Sequence, residues 1–579
     1  MRYTGTMSNM ATRYRMAPQV PEDVALELSD FSPVVRQLLY VRGVTTKDAA
    51  RTFVSPQYDE LHDPFLLTDM ERSVERILCA LAAQERIVIY SDYDCDGIPG
   101  GVLLHDFFSS VGANFKNYIP HRHHEGYGLN VEAIEKLAEE GAQLIITVDC
   151  GITDVAPAAR ARELGVDLII TDHHEVGIEL PDAYAILNPK RDDAYPFKGL
   201  CGSGVAWKLV QALIARGGFG LKAGWEKWWL DVVGIATIAD MVPLVGENRT
   251  LAHYGLQVLR KTRRPGLQHL FRAMRMKQEY ITEDDIGFMI GPRINAASRM
   301  DTPEDAFHML ATRDEEAAGG HARHLEKLNN ERKGVVASMV KDIKKRMDNV
   351  IEVPPVIVMG NPEWRPALVG LAANTLVETF NRPVFLWGRD GREIIKGSCR
   401  SDGSVSVVSL MHEVKEVFIE YGGHHASGGF SVQQPAIHTF ETRLNEAYVA
   451  VQDRDPIAKE LTIDAVLSME DISARFVREV SQLAPFGEAN AKPLFAFRQV
   501  APTRVEQFGK ARDHTKVHFE TSQGTVEAIA FFAEPDTFST PLVAGEARTI
   551  IAHAEQSFFM NRMTTRLRIV DVLPADAEL

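Results

Sequence analysis

RIVIYSDYDCDGIPG, residues 86–100, is the stretch that decides the fold of this 579-residue chain. RIVIY predicts a short buried strand, and the apolar stretch GVLLHDFFSSVG that follows predicts a helix. Pro99 suits the first turn of that helix. A buried strand that leads through a loop into a helix is typical of a parallel sheet covered on both faces. The three aspartates of the loop repel one another, so the loop also predicts a bound cation.

That cation is not held in an EF-hand calcium loop. Asp92, Asp94, Asp96 and Gly97 match the first half of such a loop, which requires a bidentate glutamate six residues after the glycine. The residue at that position is Leu103.

Three further apolar runs continue the pattern: LIITV (144–148), VDLIIT (166–171) and AYAILNP (183–189). The first of them ends on Asp149, and the second ends on Asp172, His173 and His174. In parallel sheets the functional site lies outside the carboxyl ends of the strands. Carboxylates and imidazoles gathered there suit Mn²⁺ or Mg²⁺, and two such ions can promote phosphoryl hydrolysis. Asp149, at the middle strand end, is the candidate for a carboxylate that bridges two ions.

The remaining chain divides by its pattern. Residues 20–80 are helical in pattern, and residues 320–348 predict a long helix because they contain no proline and many helix formers. A second α/β segment follows from about residue 355. From about residue 455, five short strand patterns predict a small β-barrel, of which the OB-fold is one form.

Composition limits the class of protein. With 45% hydrophobic and 25% charged residues the chain is that of an ordinary globular protein, and no apolar run reaches the length of a membrane span. The net charge of −16 argues against a non-specific coat on nucleic acid, although it says nothing about local charge. Five scattered cysteines fit a reducing cytoplasm and argue against both a disulfide framework and a zinc ribbon.

Several motifs together resemble a known family. Four segments resemble the motifs of the DHH phosphoesterase superfamily: DYDCDG (92–97), VDCGI (148–152), DHH (172–174) and ATIADMVPLVGENR (236–249). Five more are similar to RecJ-type single-strand exonucleases: YIPHRHHEGYGLN (118–130), GPRINAASRM (291–300), LNNERK (328–333), YGGHHASGGF (421–430) and LAPFGEANAKPLF (483–495). The resemblance spans roughly residues 30–575.

The resemblance implies an α/β fold in which a parallel-sheet DHH domain is joined by a long helix to a smaller α/β DHHA1 domain, followed by a C-terminal OB-like β-barrel. The boundaries that we predict are 1–20 for a disordered leader, 21–80 for an N-terminal helical segment, 81–318 for the DHH catalytic domain, 319–350 for the connecting helix, 351–454 for the DHHA1 substrate-binding domain and 455–579 for the OB-like domain.

The implied activity is a two-metal, 5′-to-3′ exonuclease on single-stranded DNA that releases mononucleotides in repair and recombination. Two alternatives stay open, a DHH phosphodiesterase acting on short oligonucleotides or cyclic dinucleotides and a catalytically inactive DHH scaffold. The expected partner is single-stranded DNA, with a single-strand-binding protein or a helicase as a further candidate. We expect a cytoplasmic monomer that does not contact membrane.

The resemblance also implies roles for particular residues. The implied ligands of two Mn²⁺ or Mg²⁺ ions are Asp92, Asp94, Asp96, Asp149, His173 and Asp240. Asp172 would orient the histidine pair, His174 would face the scissile phosphate, and Arg293, Asn295 and Arg299 would position phosphate. The implied substrate contacts are Gly422, Gly423, His424, Ser427, Gly428, Arg400 and Arg365. Phe495, Phe497 and Phe519 are either stacking platforms for bases or core residues.

Three positions depart from the family's pattern. Ser298 and Cys399 stand where glycine is usual, and Arg365 stands where the family carries histidine. All three fall in substrate-facing motifs, so the departures bear on substrate choice and leave the metal ligands intact.

Overall fold

The computed structural model describes residues 13–222, 224–348, 350–389, 394–452, 460–509, 512–559 and 562–579. Within them the predicted fold class is confirmed, because a parallel sheet, a long helix, a second α/β sheet and a C-terminal β sheet follow one another along the chain. None of the described helices combines the length and the apolar character that crossing a membrane requires.

The first sheet has five parallel strands, in the spatial order Phe115–Tyr118, Ile87–Ser91, Leu144–Val148, Asp167–Thr171 and Ala185–Leu187. Four of these strands match the predicted apolar runs. Successive side chains of the strand Ile87–Ser91 are buried on opposite faces of the sheet, since Ile87 and Val88 belong to separate apolar clusters. Both faces of the sheet are therefore covered, which explains the uninterrupted apolar runs. The strand Phe115–Tyr118 was not predicted because this edge strand is only half buried and has no apolar run.

The helices of this region pack against the sheet and against one another. Their bounds are Gly97–Ser110, Val131–Glu139, Val155–Glu163, Gly202–Gly217, Leu230–Ala239, Gly246–Leu259, Pro265–Ala273, Glu283–Asp285, Gly291–Met300 and Glu304–Ala311. A π-helical turn, Ile286–Ile290, leads directly into the helix Gly291–Met300. Such turns occur frequently at functional sites.

The N-terminal region contains a strand that the sequence did not predict. Arg13–Met16 pairs in parallel with Glu460–Ile463, and the Tyr14 hydroxyl donates to a carboxylate oxygen of Asp571 at 2.9 Å. The prediction of a disordered leader over residues 1–20 is therefore wrong for 13–16, while 1–12 lie outside the described residues. The helices that follow are Glu22–Glu27, Pro33–Val41, Lys47–Val54 and Met70–Ala83.

The connecting helix is Glu315–Met347, 33 residues long, and it begins four residues before the predicted boundary at 319. The Asp314 side chain caps it by accepting a hydrogen bond from the Ala317 backbone N–H. Beyond it, a five-stranded sheet has the order Phe418–Gly423, Ser427–Val432, Ile395–Arg400, Val384–Arg389 and Ile357–Gly360. Its helices are Pro366–Phe380, Val407–Glu413 and Ile437–Val451.

The C-terminal sheet has seven strands, namely Ala465–Val466, Phe495–Val500, Arg504–Phe508, His514–Thr521, Gly524–Ala530, Arg548–Phe559 and Arg562–Pro574, with one helix, Ala474–Ser481. The five predicted strands are among them. Phe495, Phe497 and Phe519 are buried in one cluster with Leu38 and Leu39 of the N-terminal helices. They are core residues, so their interpretation as stacking platforms is wrong.

Candidate active site at the carboxyl edge of the parallel sheet

The acidic loop leaves the strand Ile87–Ser91 and turns into the helix Gly97–Ser110. Asp94 Oδ1 accepts hydrogen bonds from the backbone N–H groups of Asp96 at 2.8 Å and Gly97 at 3.2 Å, which organises the turn. A Cβ atom on Gly97 would stand 2.5 Å from the Asp92 carbonyl oxygen, so only glycine fits there. The loop thereby directs its carboxylates to the edge of the sheet.

Asp149 ends the neighbouring strand in a strained conformation. Its φ of 64° lies in the left-handed region that residues other than glycine seldom adopt. Its buried Oδ1 atom has no hydrogen-bond partner, and the same holds for Oδ1 of Asp92 among the described residues. Backbone strain beside an uncompensated buried carboxylate is typical of a functional site.

His173 brings together carboxylates from three other segments. Its Nε2 atom lies 3.2 Å from Asp149 Oδ1, 3.6 Å from Asp240 Oδ2 and 3.7 Å from Asp96 Oδ2. Three sets of donor atoms come close enough to share an ion: Asp92 with Asp94 and Asp149; Asp96 with His173 and Asp240; and Asp149 with His173 and His174. The structure thus brings together all six residues that the sequence analysis expected to bind metal.

Burial and mutual repulsion perturb these carboxyl groups. Burial, together with the neighbouring charges of Asp96 and Asp94, raises the pKa of Asp240 to about 9. Burial raises the pKa of Asp149 and of Asp92 well above the usual range, and the surrounding aspartates add to the effect. A divalent cation would remove this penalty, and an oxygen-rich set with one or two imidazoles fits Mn²⁺ or Mg²⁺.

Asp172 holds the second histidine. Its Oδ1 atom lies 2.8 Å from His174 Nδ1, and its Oδ2 atom accepts from the Ile152 N–H. Burial alone would raise the pKa of Asp172, but the hydrogen bond with His174 lowers it. Burial alone would lower the pKa of His174, but the bond to Asp172 outweighs this and raises it. Asp172 therefore favours a charged His174.

Sequence reasoning missed the helix Gly202–Gly217, whose start lies directly against the site. The Gly202 N–H donates to Asp96 Oδ2 at 2.6 Å, and the Ser203 N–H donates to Asp96 Oδ1 at 2.8 Å. A Cβ on Gly202 would come within 2.5 Å of the Asp149 Cβ. The signal in the sequence was the glycine-rich GLCGSG at 199–204, which precedes an apolar helix.

Tyr127 is a second residue that the sequence analysis did not single out. Its hydroxyl donates to the Asp149 carbonyl oxygen at 3.2 Å and lies 3.1 Å from His174 Nδ1. It therefore connects the middle strand end with the histidine pair. It belongs to YIPHRHHEGYGLN, the segment that resembled a substrate-side loop.

Arg299, Arg122 and Arg332 lie close to one another, and the first two also lie near the aspartates of the acidic loop. Burial lowers the pKa of Arg299 to about 9, and the nearby charges of Arg122 and Arg332 lower it further. The Arg122 guanidinium lies over the ring of Tyr93, 4.7 Å from its centroid. Within the described ranges none of the three has an acidic side chain within 4.0 Å. Crowded guanidinium groups without a carboxylate partner are suited to binding phosphate.

Arg293 and Asn295 make contacts within the protein. Arg293 forms a bidentate ion pair with Glu326 of the connecting helix, at 2.5 and 3.1 Å. Asn295 Oδ1 accepts from the Cys95 backbone N–H at 2.9 Å. Arg299 Nη1 donates to the Ala367 carbonyl at 2.7 Å. The helix Gly291–Met300 therefore links the acidic loop to the connecting helix and to the second α/β region.

Five of the residues expected to contact substrate belong to a glycine-rich hairpin of the second α/β region, namely Gly422, Gly423, His424, Ser427 and Gly428. In the hairpin, the His424 N–H donates to the Ser427 carbonyl, and a Cβ on Gly428 would stand 2.8 Å from the Gly422 carbonyl. Gly423 has a φ of 142°. The pKa of Glu175, next to His174 in sequence, is lowered chiefly by its bond with Lys190, and His424 contributes through its charge.

The other two residues expected to contact substrate are arginines of the same region. Arg365 Nη1 donates to the Met300 carbonyl at 3.0 Å, so it lies at the end of the helix that carries Arg299. Arg400 is half buried on its strand, and its Nη1 atom donates to the carbonyl of Cys399. Cys399 itself is buried beside Met411.

The C-terminal sheet exposes other aromatic rings than the three that the sequence suggested. Phe532 is 82% exposed and Phe531 is 44% exposed, and the Arg566 guanidinium lies 5.6 Å from the centre of the Phe531 ring. Exposed aromatic rings beside an arginine are suited to stacking with bases. The feature of the sequence that could have indicated these exposed rings is the FF pair at the end of the strand pattern TVEAIAFF.

Comparison with known proteins agrees with this geometry. The family model of the DHH family, N-terminal domain, matches residues 86–237, that of the DHHA1 domain matches 353–453, and that of the RecJ OB domain matches 463–571. The single-stranded-DNA-specific exonuclease RecJ of Bacillus subtilis (strain 168) is 33% identical over 577 residues, which cover 98% of this chain and 72% of that protein. This chain belongs to the RecJ family.

Two RecJ structures from Thermus thermophilus are similar to this one throughout. The complex with Mn²⁺ has a TM-score of 0.82 at 27% identity and covers 98% of this chain and 80% of that one. The complex with Mg²⁺ has a TM-score of 0.76 at 25% identity, with coverages of 98% and 79%. The ions in these RecJ structures are the two that the donor set at the sheet edge predicts.

Proposed function

We propose that this chain is an Mn²⁺- or Mg²⁺-dependent exonuclease that degrades single-stranded DNA from its 5′ end and releases mononucleotides, in DNA repair and recombination. One observation carries the proposal. Carboxylates and imidazoles from four separate segments converge at one sheet edge, where Asp149 and Asp92 each keep a buried oxygen without a hydrogen-bond donor. Membership of the RecJ family supports single-stranded DNA as the substrate.

The residues present fit two ions. Asp92, Asp94 and Asp149 would hold one, while Asp96, His173 and Asp240 would hold the other. Asp149 is the proposed bridge, because it belongs to the first group and its Oδ1 atom lies 3.2 Å from His173 Nε2 of the second. When bound, two such ions activate a water and stabilise the leaving oxygen in phosphodiester hydrolysis.

The surrounding side chains would bind and orient the substrate. His174, kept charged by Asp172, would donate a hydrogen bond to the scissile phosphate. Arg299, Arg122 and Arg332 would hold the neighbouring phosphates. Arg293 and Asn295 would act indirectly, because they fix the helix that carries Arg299.

The second α/β region would close over the other side of the DNA. There the proposed contacts are Gly422, Gly423, His424, Ser427, Gly428, Arg400 and Arg365. Phe531 and Phe532 of the C-terminal sheet would stack with bases farther along the strand.

The proposed domains are 81–318, 351–454 and 455–579, with the first turn of the connecting helix, 315–318, counted in the first domain. A monomer is proposed because one chain supplies every residue of the site. The cytoplasm is the proposed compartment, since all five cysteines are unpaired. A single-strand-binding protein or a helicase is the proposed protein partner.

The test uses 5′- and 3′-labelled single strands, duplexes and dinucleotides with Mn²⁺, for the wild type and Asp149→Ala. We expect mononucleotides released from the 5′ end of single strands, and no release by the variant. Cleavage of dinucleotides alone would support the small-nucleotide phosphodiesterase instead. Absence of hydrolysis in every substrate would support the inactive scaffold.

A further inference from the structure

A second group of metal-ligand side chains lies outside the catalytic edge. Asp301 follows the helix Gly291–Met300, Asp305 lies in the first turn of Glu304–Ala311, and His324 lies on the connecting helix. His324 Nε2 is 3.1 Å from Asp305 Oδ2 and 3.9 Å from Asp301 Oδ2. The three donor atoms all lie within 4.8 Å of one another.

These separations fit a common ion. Nitrogen and oxygen ligands at about 2.0–2.2 Å from a tetrahedral zinc stand roughly 3.4 Å apart. The two distances from His324 Nε2, 3.1 and 3.9 Å, lie on either side of that value. One imidazole with two carboxylates suits Zn²⁺ or another transition-metal ion better than the all-oxygen sites of Ca²⁺ or Mg²⁺.

Two further features of the surrounding residues support metal binding by this group. His308 and His321 lie one helical turn from Asp305 and His324, on the same two helices, and their rings are stacked with centroids 5.7 Å apart. Two further imidazoles therefore lie beside the group, which itself combines a histidine with its two carboxylates. In the described part of the chain, His324 is also the only basic side chain within 4.0 Å of either carboxylate.

We propose that Asp301, Asp305 and His324 bind one Zn²⁺-type ion, distinct from the ions at the sheet edge. Asp301 stands two residues after Arg299, and the intervening Met300 carbonyl accepts the hydrogen bond from Arg365. The ion would therefore fasten the end of the helix that carries Arg299 to the connecting helix that carries Arg332. Its role is to hold two of the proposed phosphate-binding arginines in register.

The experiment counts zinc bound per chain after gel filtration in excess Mg²⁺. The wild type is compared with Asp301→Asn and His324→Ala, so that zinc at the catalytic edge cancels in the difference. We expect each variant to hold one zinc fewer and to lose part of the zinc-induced rise in Tm. His269→Ala is the matched control, because His269 pairs with a single carboxylate, Glu315, at 2.9 Å on the same connecting helix.

Equal zinc content in all four proteins would overturn the proposal and leave an ordinary histidine–carboxylate pair. Asp301 is 58% exposed in its side chain, so Asp301→Asn is not expected to unfold the protein. Visible absorption of bound Co²⁺ provides a second readout, and the band must weaken in both variants and persist in the control. Mn²⁺-dependent nuclease activity, assayed without zinc, tests the proposed function separately.

Discussion

At the scale of single residues, Asp149 destabilises the metal-free protein, and ion binding would compensate for this. It is buried, strained in its backbone and surrounded by other aspartates. Replacing it with asparagine removes the charge while keeping the shape. We expect Asp149→Asn to be more stable than the wild type by roughly 1–3 kcal/mol in EDTA at neutral pH, measured by chemical unfolding.

The sign of the pH dependence follows from the raised pKa of Asp149. Between its usual pKa and its raised folded value, the folded metal-free protein holds a proton that the unfolded chain has released, so stability falls as pH rises. The advantage of Asp149→Asn should therefore grow from about pH 4 to neutral pH. With saturating Mn²⁺ the order should reverse, because only the wild type gains from binding. A variant less stable than the wild type in EDTA would contradict this account.

Asp172 offers a second prediction, which concerns orientation and charge. Its hydrogen bond raises the pKa of His174, so the imidazolium persists to a higher pH than in a free histidine. Asp172→Asn should lower nuclease activity about 10–100-fold and move the alkaline fall of the pH–rate profile to lower pH. Asp314→Asn is the control, because that carboxylate accepts from the Ala317 N–H at the start of the connecting helix and asparagine can cap the helix in the same way. A profile of unchanged shape in Asp172→Asn would refute the charged role of His174.

At the scale of elements, the start of the helix Gly202–Gly217 determines where Asp149 and Asp96 can lie. Gly202→Ala would bring a Cβ to 2.5 Å from the Asp149 Cβ and 2.7 Å from its Oδ1. We expect a loss of roughly 1–3 kcal/mol in unfolding free energy and a large loss of Mn²⁺-dependent activity.

Gly204→Ala on the same helix is the matched control for that prediction. Its Cβ would meet the Leu200 side chain at 3.5 Å, an ordinary contact, so stability should change by no more than about 1 kcal/mol. Equal effects of the two substitutions would mean that helix propensity matters and that contact with Asp149 does not.

The same elements explain what could be predicted from sequence. Strands such as Leu144–Val148 were predictable because burial on both faces requires an uninterrupted apolar run. The strand Arg13–Met16 could not be predicted, since its partner strand, Glu460–Ile463, lies far along the chain and no local pattern encodes that pairing. Most candidate ligands were predictable because they follow strands of the parallel sheet, whereas Asp240 follows the helix Leu230–Ala239 and was expected only from the family resemblance. The contacts of Gly202 and Tyr127 with Asp149 could not be predicted, because they depend on how distant segments of the chain pack together.

At the scale of the whole molecule, a chain with a net charge of −16 must attract a polyanion through local charge. Arg299, Arg122 and Arg332 supply that local positive charge. The excess negative charge elsewhere on the protein disfavours DNA binding away from the site. Arg332 belongs to the connecting helix, and its guanidinium bonds only to Asn329 among the described contacts. No carboxylate among the described residues therefore neutralises its charge, which suits it to contact a phosphate.

This arrangement predicts a local salt dependence. Each phosphate contact on a single strand contributes about 0.7 to the slope of log affinity against log salt concentration. Arg332→Gln should weaken binding of a labelled single strand and lower that slope by about 0.7, as measured by fluorescence anisotropy in an Asp149→Asn background that cannot cleave. Arg160→Gln is the control, because Arg160 is already paired with Glu135 and Glu163 on a helix beside the sheet. If both substitutions changed the slope equally, the strand would respond only to the overall charge of the protein, and Arg332 would have no special part in holding it.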